Sequence, residues 1–222
     1  MPETLSQPIN LIAMQGDGIG PEIMRATLDV LYAARTAFNL DINVAFEDIG
    51  FESLDKTGTT ITDDVVARAR ASDGIILGPI SHNVYPPVAE GGLNPSGVLR
   101  KKLDLFANVR PARTRAGVEN PIRKNFDLVI VRENTEGFYA DRTMVAGTGE
   151  FMPTDDVALA IRKITSTGCL RIAEYAFKLA SQRRRRKVTA VHKANVLRLS
   201  DGLFLEKTRA VAAKYPDIAY DE

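Results

Sequence analysis

Short apolar runs alternate along this chain with longer stretches whose apolar residues recur every three or four positions, the pattern of an α/β protein. Ile9–Met14 predicts a buried strand that enters the glycine-rich segment Gln15–Gly20. Pro21 suits the first position of a helix, where its missing N–H costs nothing. Ile23, Met24, Leu28, Leu31 and Phe38 follow it at helical spacing. Ile42–Phe46 alternates apolar and polar residues, as a second strand would. Thr62, with Asp63 and Asp64 behind it, has the chemistry of an N-cap and an acidic first turn, for a short helix to about Ala71. Gly74–Leu77 reads as a third strand, stopped by Gly78-Pro79.

From Ile80 to Pro95 the periodicity disappears. Pro86, Pro87, Gly91, Gly92 and Pro95 mark a long loop, and loops of that length inside compact domains tend to be functional or disordered. A helix is expected from about Ser96 to Leu105, then strands near Ala107–Arg110 and Leu128–Arg132. Ala140–Pro153 reads as an excursion from the main body. Helical patterns return at Leu170–Ser181 and Val196–Ala213, flanking a strand at Val188–His192. The expected division is a first α/β domain over 1–100 and a second over 101–222, the second carrying the excursion at 140–153.

Composition narrows the class. Hydrophobic residues make up 45% of the 222 residues and charged residues 26%, as in ordinary soluble domains. A net charge of +1 gives no general attraction to nucleic acid or to an anionic membrane. No apolar run approaches the roughly 18 residues that span a bilayer. MPETLSQPIN has neither the basic nor the apolar region of a secretory signal. One cysteine, Cys169, forms no internal disulfide, which points to a reducing cytoplasm. Two histidines, His82 and His192, argue against a His-rich metal site; a hard cation held by carboxylates stays open.

Several side chains stand out against this background. GDGIGPE (Gly16–Glu22) lies between a strand and a helix, where backbone N–H groups and the helix dipole can receive an anion or a cofactor. Glu47 and Asp48 end the next strand, as a ribose-binding acid does in dinucleotide folds. The glycines spell G-x-G-x-G rather than G-x-G-x-x-G, however, so the Rossmann fingerprint is not met. Arg100, Arg110 and Arg132 sit at element ends or in apolar strand contexts. A guanidinium emerging from a buried strand needs an anion, and its fork fits a carboxylate. Tyr139 and Lys193 are candidate proton-transfer groups, although a lone tyrosine is ordinarily core packing and a lone lysine ordinarily a solvated surface. Arg183–Lys187 reads as a solvated helix terminus.

In order, GDGIGPE, LRKKLDLFANVRP, VRENTEGFY and VTAVHKANVLRLSDGLF resemble the successive motifs of the isocitrate/isopropylmalate dehydrogenase family of metal-dependent β-decarboxylating dehydrogenases. The last string looks closest to NAD-dependent isocitrate dehydrogenases. The resemblance implies two α/β domains, a nicotinamide cofactor (NAD or NADP) and Mg²⁺ or Mn²⁺. It implies a homodimer whose sites share residues between subunits. On this resemblance Arg100, Arg110 and Arg132 bind the carboxylates of a malate-type acid. Tyr139 protonates the enol after carbon dioxide leaves, and Lys193 assists proton removal from the hydroxyl across the subunit interface. Asn195 matches a residue near the nicotinamide, and Ile19 one against the adenosine.

Substrate choice is expected to lie just before Arg100. There Asn94 and Ser96 present a polar surface suited to a third carboxylate, which favours isocitrate, converted to 2-oxoglutarate, over isopropylmalate, homoisocitrate or tartrate. The resemblance also implies that the metal-binding aspartates and the C-terminal part of the first domain lie beyond Glu222. Such a chain reads as a truncated fragment of a longer enzyme or as a non-catalytic regulatory subunit.

Overall fold

The computed structural model describes residues 7–119, 121, 124–139, 144 and 149–222. Two compact units divide between Leu103 and Asp104.

The first unit is organised by strand β1 (Ile9–Met14), central in a parallel sheet of order β2-β1-β3, with β2 at Ile42–Phe46 and β3 at Gly74–Leu77. Successive strand residues point to opposite faces, and both faces of β1 are used. Ile12 and Met14 join Ile49, Ile61, Val65, Val66 and Leu99 in one cluster. Ala13 packs with Met24 and Leu28 on the other face. These come from helix α1 (Gly20–Ala37); α3 (Asp63–Ala71) and α4 (Pro95–Lys102) cover the opposite face. Thr62 caps α3, its hydroxyl accepting the Val65 N–H at 3.2 Å.

Not every helical-period residue of α1 is in the core. Met24 and Leu28 are buried, but Ile23 is 43% exposed and Phe38 75% exposed. Neighbouring helix residues are about 100° apart, so Ile23 cannot share the Met24 face, and Phe38 is the C-cap, beyond the helix. A seven-residue helix, α2 (Phe51–Thr57), has no counterpart in the sequence pattern. Positive-φ glycines flank it, Gly50 at φ 72° and Gly58 at φ 76°.

The segment 80–95 contains short 3₁₀ turns at His82–Val84 and Val88–Glu90, and it is pinned at both ends. Thr60, fully buried, donates its hydroxyl to Leu93 O at 2.6 Å and its N–H to Gly91 O at 3.0 Å. At the other end, the buried carboxylate of Asp17 accepts from Ser81 N–H at 2.8 Å, from Phe51 N–H at 2.8 Å and from the Tyr85 hydroxyl. Burial, with this Asp17 bond, pushes the Tyr85 phenol up in pKa. Asp17→Asn keeps the shape but turns an amide N–H₂ toward donors. It should cost about 2 kcal/mol, seen as a lower urea midpoint at unchanged m-value.

The second unit pairs β4 (Ala107–Arg113) with β5 (Asp127–Glu133), antiparallel, and β8 (Lys187–Thr189) with β9 (Ala219–Asp221), parallel. A hairpin, β6 (Glu150–Thr154) with β7 (Val157–Ala160), stands apart. Of the expected excursion at 140–153, residues 140–143 and 145–148 lie outside the described residues. Helices α5 (Ser166–Ser181) and α6 (Ser200–Ala212) pack together, with Phe177 and Val211 fully buried among Tyr215 and Tyr220.

Three expectations shift here. The helix that carries Arg100 ends at Lys102, not Leu105. The strand expected to reach His192 stops at Thr189: the Ala190 N–H still donates to Asp221 O at 2.9 Å, but the partner strand β9 ends at Asp221, and the Lys193 and Ala194 N–H groups go to side chains. The cationic run 183–187 lies past the C-terminus of α5: Arg183 pairs with Asp127 at 2.6 Å and Lys187 belongs to β8.

Candidate active site

Two of the three singled-out arginines share one face of the β4–β5 ribbon. Asn108 is opposite Arg132 and Arg110 is opposite Ile130, and residues two apart on a strand face the same way. Arg110 Nε donates to Asn108 Oδ1 at 3.1 Å, which holds its guanidinium on that face. Neither arginine is buried, so the expectation of a charge emerging from an interior is corrected: α5 packs against β5, and both side chains stay exposed. Neither has an acidic partner among the described residues, as is true of Arg100 and several surface arginines. Arg68, Arg162, Arg171, Arg183 and Arg209 are all in ion pairs.

Tyr139 lies beside this face, with the Arg132 guanidinium 5.3 Å from its ring centroid. Its loop is built by acids that the sequence reading passed over. Glu133 accepts N–H bonds from Thr135 and Glu136, at 2.8 and 2.7 Å, and pairs with Arg171. Glu136 accepts the N–H and hydroxyl of Thr165 at 2.9 and 2.5 Å, which fastens the loop to the start of α5. Gly137 and Lys163 exchange backbone bonds at 2.8 and 2.9 Å. The acids of RENTEG are therefore structural. Their sequence signal, carboxylates interleaved with Asn and Thr, is the chemistry of a self-bonded turn.

Arg132 and Tyr139 line a cavity of about 870 Å³ that runs between β5 and residues 187–191, with Ile172 and Ala173 of α5 and Phe204 of α6 along it. Cys169 also faces it, its thiol pushed up to about 11 by burial and the nearby Glu136 and Glu133, so it is inert as a nucleophile. Lys193 does not line this cavity. It is exposed on the loop after β8, as is Asn195. Behind that loop lies Asp201, 3% exposed, which accepts the Lys193 N–H at 2.6 Å and is paired with Arg162. Burial raises the Asp201 pKa, but the Lys193 N–H and Arg162 outweigh it and the carboxyl is held below its usual range.

In the first unit, Asn94 is the N-cap of α4, its side-chain oxygen accepting the Gly97 N–H at 3.0 Å. Ser96 lies in the first turn of α4 and Arg100 in the last, without an acidic partner among the described residues. The GDGIG loop places Ile19 63% exposed at the N-terminal end of α1, next to Gly18 at φ 57°, where a Cβ would meet open space. Both features fit a ligand that lies against the loop. Glu47 and Asp48 do not stand ready as ribose acceptors: Glu47 holds Arg68 at 2.5 and 2.7 Å, and Asp48 holds Lys56 at 2.8 Å. Among the described residues no group of three His, Cys, Asp or Glu side chains is arranged to hold a metal ion, so the side chains present do not make up an Mg²⁺ or Mn²⁺ site. Nor is any described helix long and apolar enough to cross a membrane.

Comparison with known proteins agrees with the order of motifs. The 3-isopropylmalate dehydrogenase of Archaeoglobus fulgidus is 37% identical over 212 residues, which cover 96% of this chain and 59% of that protein. The mitochondrial NAD isocitrate dehydrogenase subunit gamma 1 of Rattus norvegicus is 40% identical over 208 residues, 93% of this chain and 48% of that one. Among solved structures, isocitrate dehydrogenase from Methylococcus capsulatus superposes with a TM-score of 0.77 at 37% identity, over 96% of this chain and 59% of that chain. The chain thus spans about half to three fifths of the length of the relatives it matches. Residues 10–222 match the family profile described as isocitrate/isopropylmalate dehydrogenase, and the chain belongs to that family.

Proposed function

We propose that the protein carrying this chain catalyses the NAD-linked oxidative decarboxylation of a malate-type 2-hydroxy acid, with isocitrate as the acid. The observation that carries this reading is the placement of Arg110 and Arg132, both without acidic partners among the described residues, on one ribbon face beside Tyr139. Guanidinium groups on one face without an acidic partner among the described residues are suited to the carboxylates of a ligand. Arg100, Arg110 and Arg132 are assigned to the malate-type carboxylates of the acid, and Asn94 and Ser96 to its further carboxylate.

NAD⁺, when bound, accepts the hydride and supplies the redox step that side chains cannot. Ile19 is assigned to the adenosine and Asn195 to the nicotinamide. The Lys193 amine takes the hydroxyl proton as the alcohol becomes a ketone. After the C–C bond breaks and carbon dioxide leaves, the Tyr139 phenol returns a proton to the enol carbon. Lys193, exposed on the loop after β8, is assigned to the partner subunit's site in a homodimer.

Isopropylmalate is the second reading, since relatives of both names match at similar identity. The test is turnover of isocitrate, 3-isopropylmalate, homoisocitrate and tartrate with NAD⁺ or NADP⁺ and Mg²⁺ or Mn²⁺. Isocitrate with NAD⁺ is expected to give the highest kcat/KM, and no turnover of any of the four acids counts against the proposal. Ser96→Leu replaces a hydroxyl with an apolar surface. It should move the kcat/KM ratio toward isopropylmalate by about 10- to 100-fold, corresponding to roughly 1–3 kcal/mol.

A further inference from the structure

The first-turn acid of α6 is turned away from its own helix. An Asp at a helix start ordinarily offers its carboxylate to the free N–H groups of that helix. Leu199, the N-cap of α6, makes no side-chain cap bond, and the Asp201 carboxylate makes its bonds elsewhere. Its Oδ2 accepts the N–H of Lys193, eight residues earlier, at 2.6 Å. Its Oδ1 accepts from Arg162 Nη1, which also donates to Ser200 Oγ at 3.0 Å. The Lys193 carbonyl is held from the other side, accepting from Val196 N–H and Leu197 N–H at 3.0 and 2.8 Å. One residue earlier, His192 Nδ1 accepts the Ala194 N–H at 3.0 Å. The Lys193 backbone is therefore fixed at both its N–H and its carbonyl, while its amine stays in solvent.

We propose that Asp201 and Arg162 form a positioning pair that fixes the direction from which Lys193 presents its amine; this rests on the proton-transfer role assigned to Lys193 above. The pair acts through Lys193 and touches no substrate. Arg162 is the member that allows a carboxylate only 3% exposed to stay charged, since a buried charge without a partner is costly. A displacement of about 1 Å of a reacting group can cost about 100-fold in rate, so a loop pinned at both backbone groups has a kinetic use beyond stability.

The experiment compares the full-length enzyme with its Asp201→Asn, Asp201→Glu and Arg162→Lys variants, by steady-state kinetics and by hydrogen–deuterium exchange resolved to the Lys193 amide. Asp201→Asn is expected to lower kcat about 10- to 100-fold, with KM for the acid and for NAD⁺ within about threefold. It should speed Lys193 exchange by about 100-fold, leaving the distal α6 amides Thr208–Val211 protected. Arg162→Lys keeps a cation beside Asp201 and should fall between wild type and Asp201→Asn on both measures, and Asp201→Glu should recover less. Unchanged Lys193 exchange in Asp201→Asn overturns the proposal. So does a general loss of protection across α5 and α6 with kcat per folded molecule intact, which makes the pair merely structural. If Asp201→Asn does not fold, Arg162→Lys decides by the same two readouts. Wild-type enzyme inactive on every acid counts against the proposed function alone, and Lys193 exchange still decides the positioning.

Discussion

Tyr139→Phe should lower kcat by about 100- to 1000-fold while KM for the acid stays within about threefold. The substitution removes only the hydroxyl. The ring remains beneath the Arg132 guanidinium, which lies 5.3 Å from its centroid, so the cation–π contact that steadies the arginine, worth about 0.5–1 kcal/mol at an exposed site, survives. Ground-state binding is then kept and the return of a proton to the enol carbon is lost. Tyr139→Ala should behave differently, raising KM as well, because Arg132 loses the surface it rests on. Initial rates of NAD⁺ reduction across acid concentration separate the two. Equal kcat in wild type and Tyr139→Phe removes the phenol from the chemistry.

Phe177→Ala should destabilise the second unit by about 3–5 kcal/mol. The Phe177 side chain is fully buried and packs between α5 and α6 against Val211 and Ile218. Its ring is 5.4 Å from that of Tyr215 and 6.0 Å from that of Tyr220, so the loss combines transfer, cavity and aromatic terms. Domains are stable by only about 5–15 kcal/mol, so much of the folded margin of the 104–222 unit depends on this one ring. Urea denaturation followed by far-UV circular dichroism measures it. A loss under 1 kcal/mol shows that the neighbours collapse into the space.

The sequence pattern announced elements whose own residues decide them. β1, β2 and β3 have the bounds expected from their apolar runs, because glycine segments follow the first and third and the turn at Phe38 and Asn39 precedes the second. Thr62 was legible as a cap because its bond reaches only three residues ahead. What stayed hidden depends on partners far along the chain. α2 is short and held between two positive-φ glycines, and Asp17 receives donors 34, 64 and 68 residues away. Arg162 and Asp201 are 39 residues apart with nothing in either neighbourhood to pair them. Glu133 and Glu136 carried a local signal, Asn and Thr beside carboxylates, that a search for catalytic acids passes over.

The two small sheets of the second unit have a colloidal consequence. Among the described residues β5 pairs only with β4 and β8 only with β9, so each has one unpaired edge, and residues of both strands line the same cavity. An open edge is a template on which strands of different molecules can add, and charge is a common guard against it. Here that guard would be Arg185 and Arg186, which line the cavity just before β8, since Lys187 is paired with Asp221 at 2.6 Å. Such a guard is electrostatic, with a reach of about 10 Å in 0.1 M salt that shrinks as salt is added. A run of cations that reads in the sequence as a solvated helix terminus therefore lies beside a strand edge, and added salt should weaken the repulsion it supplies there.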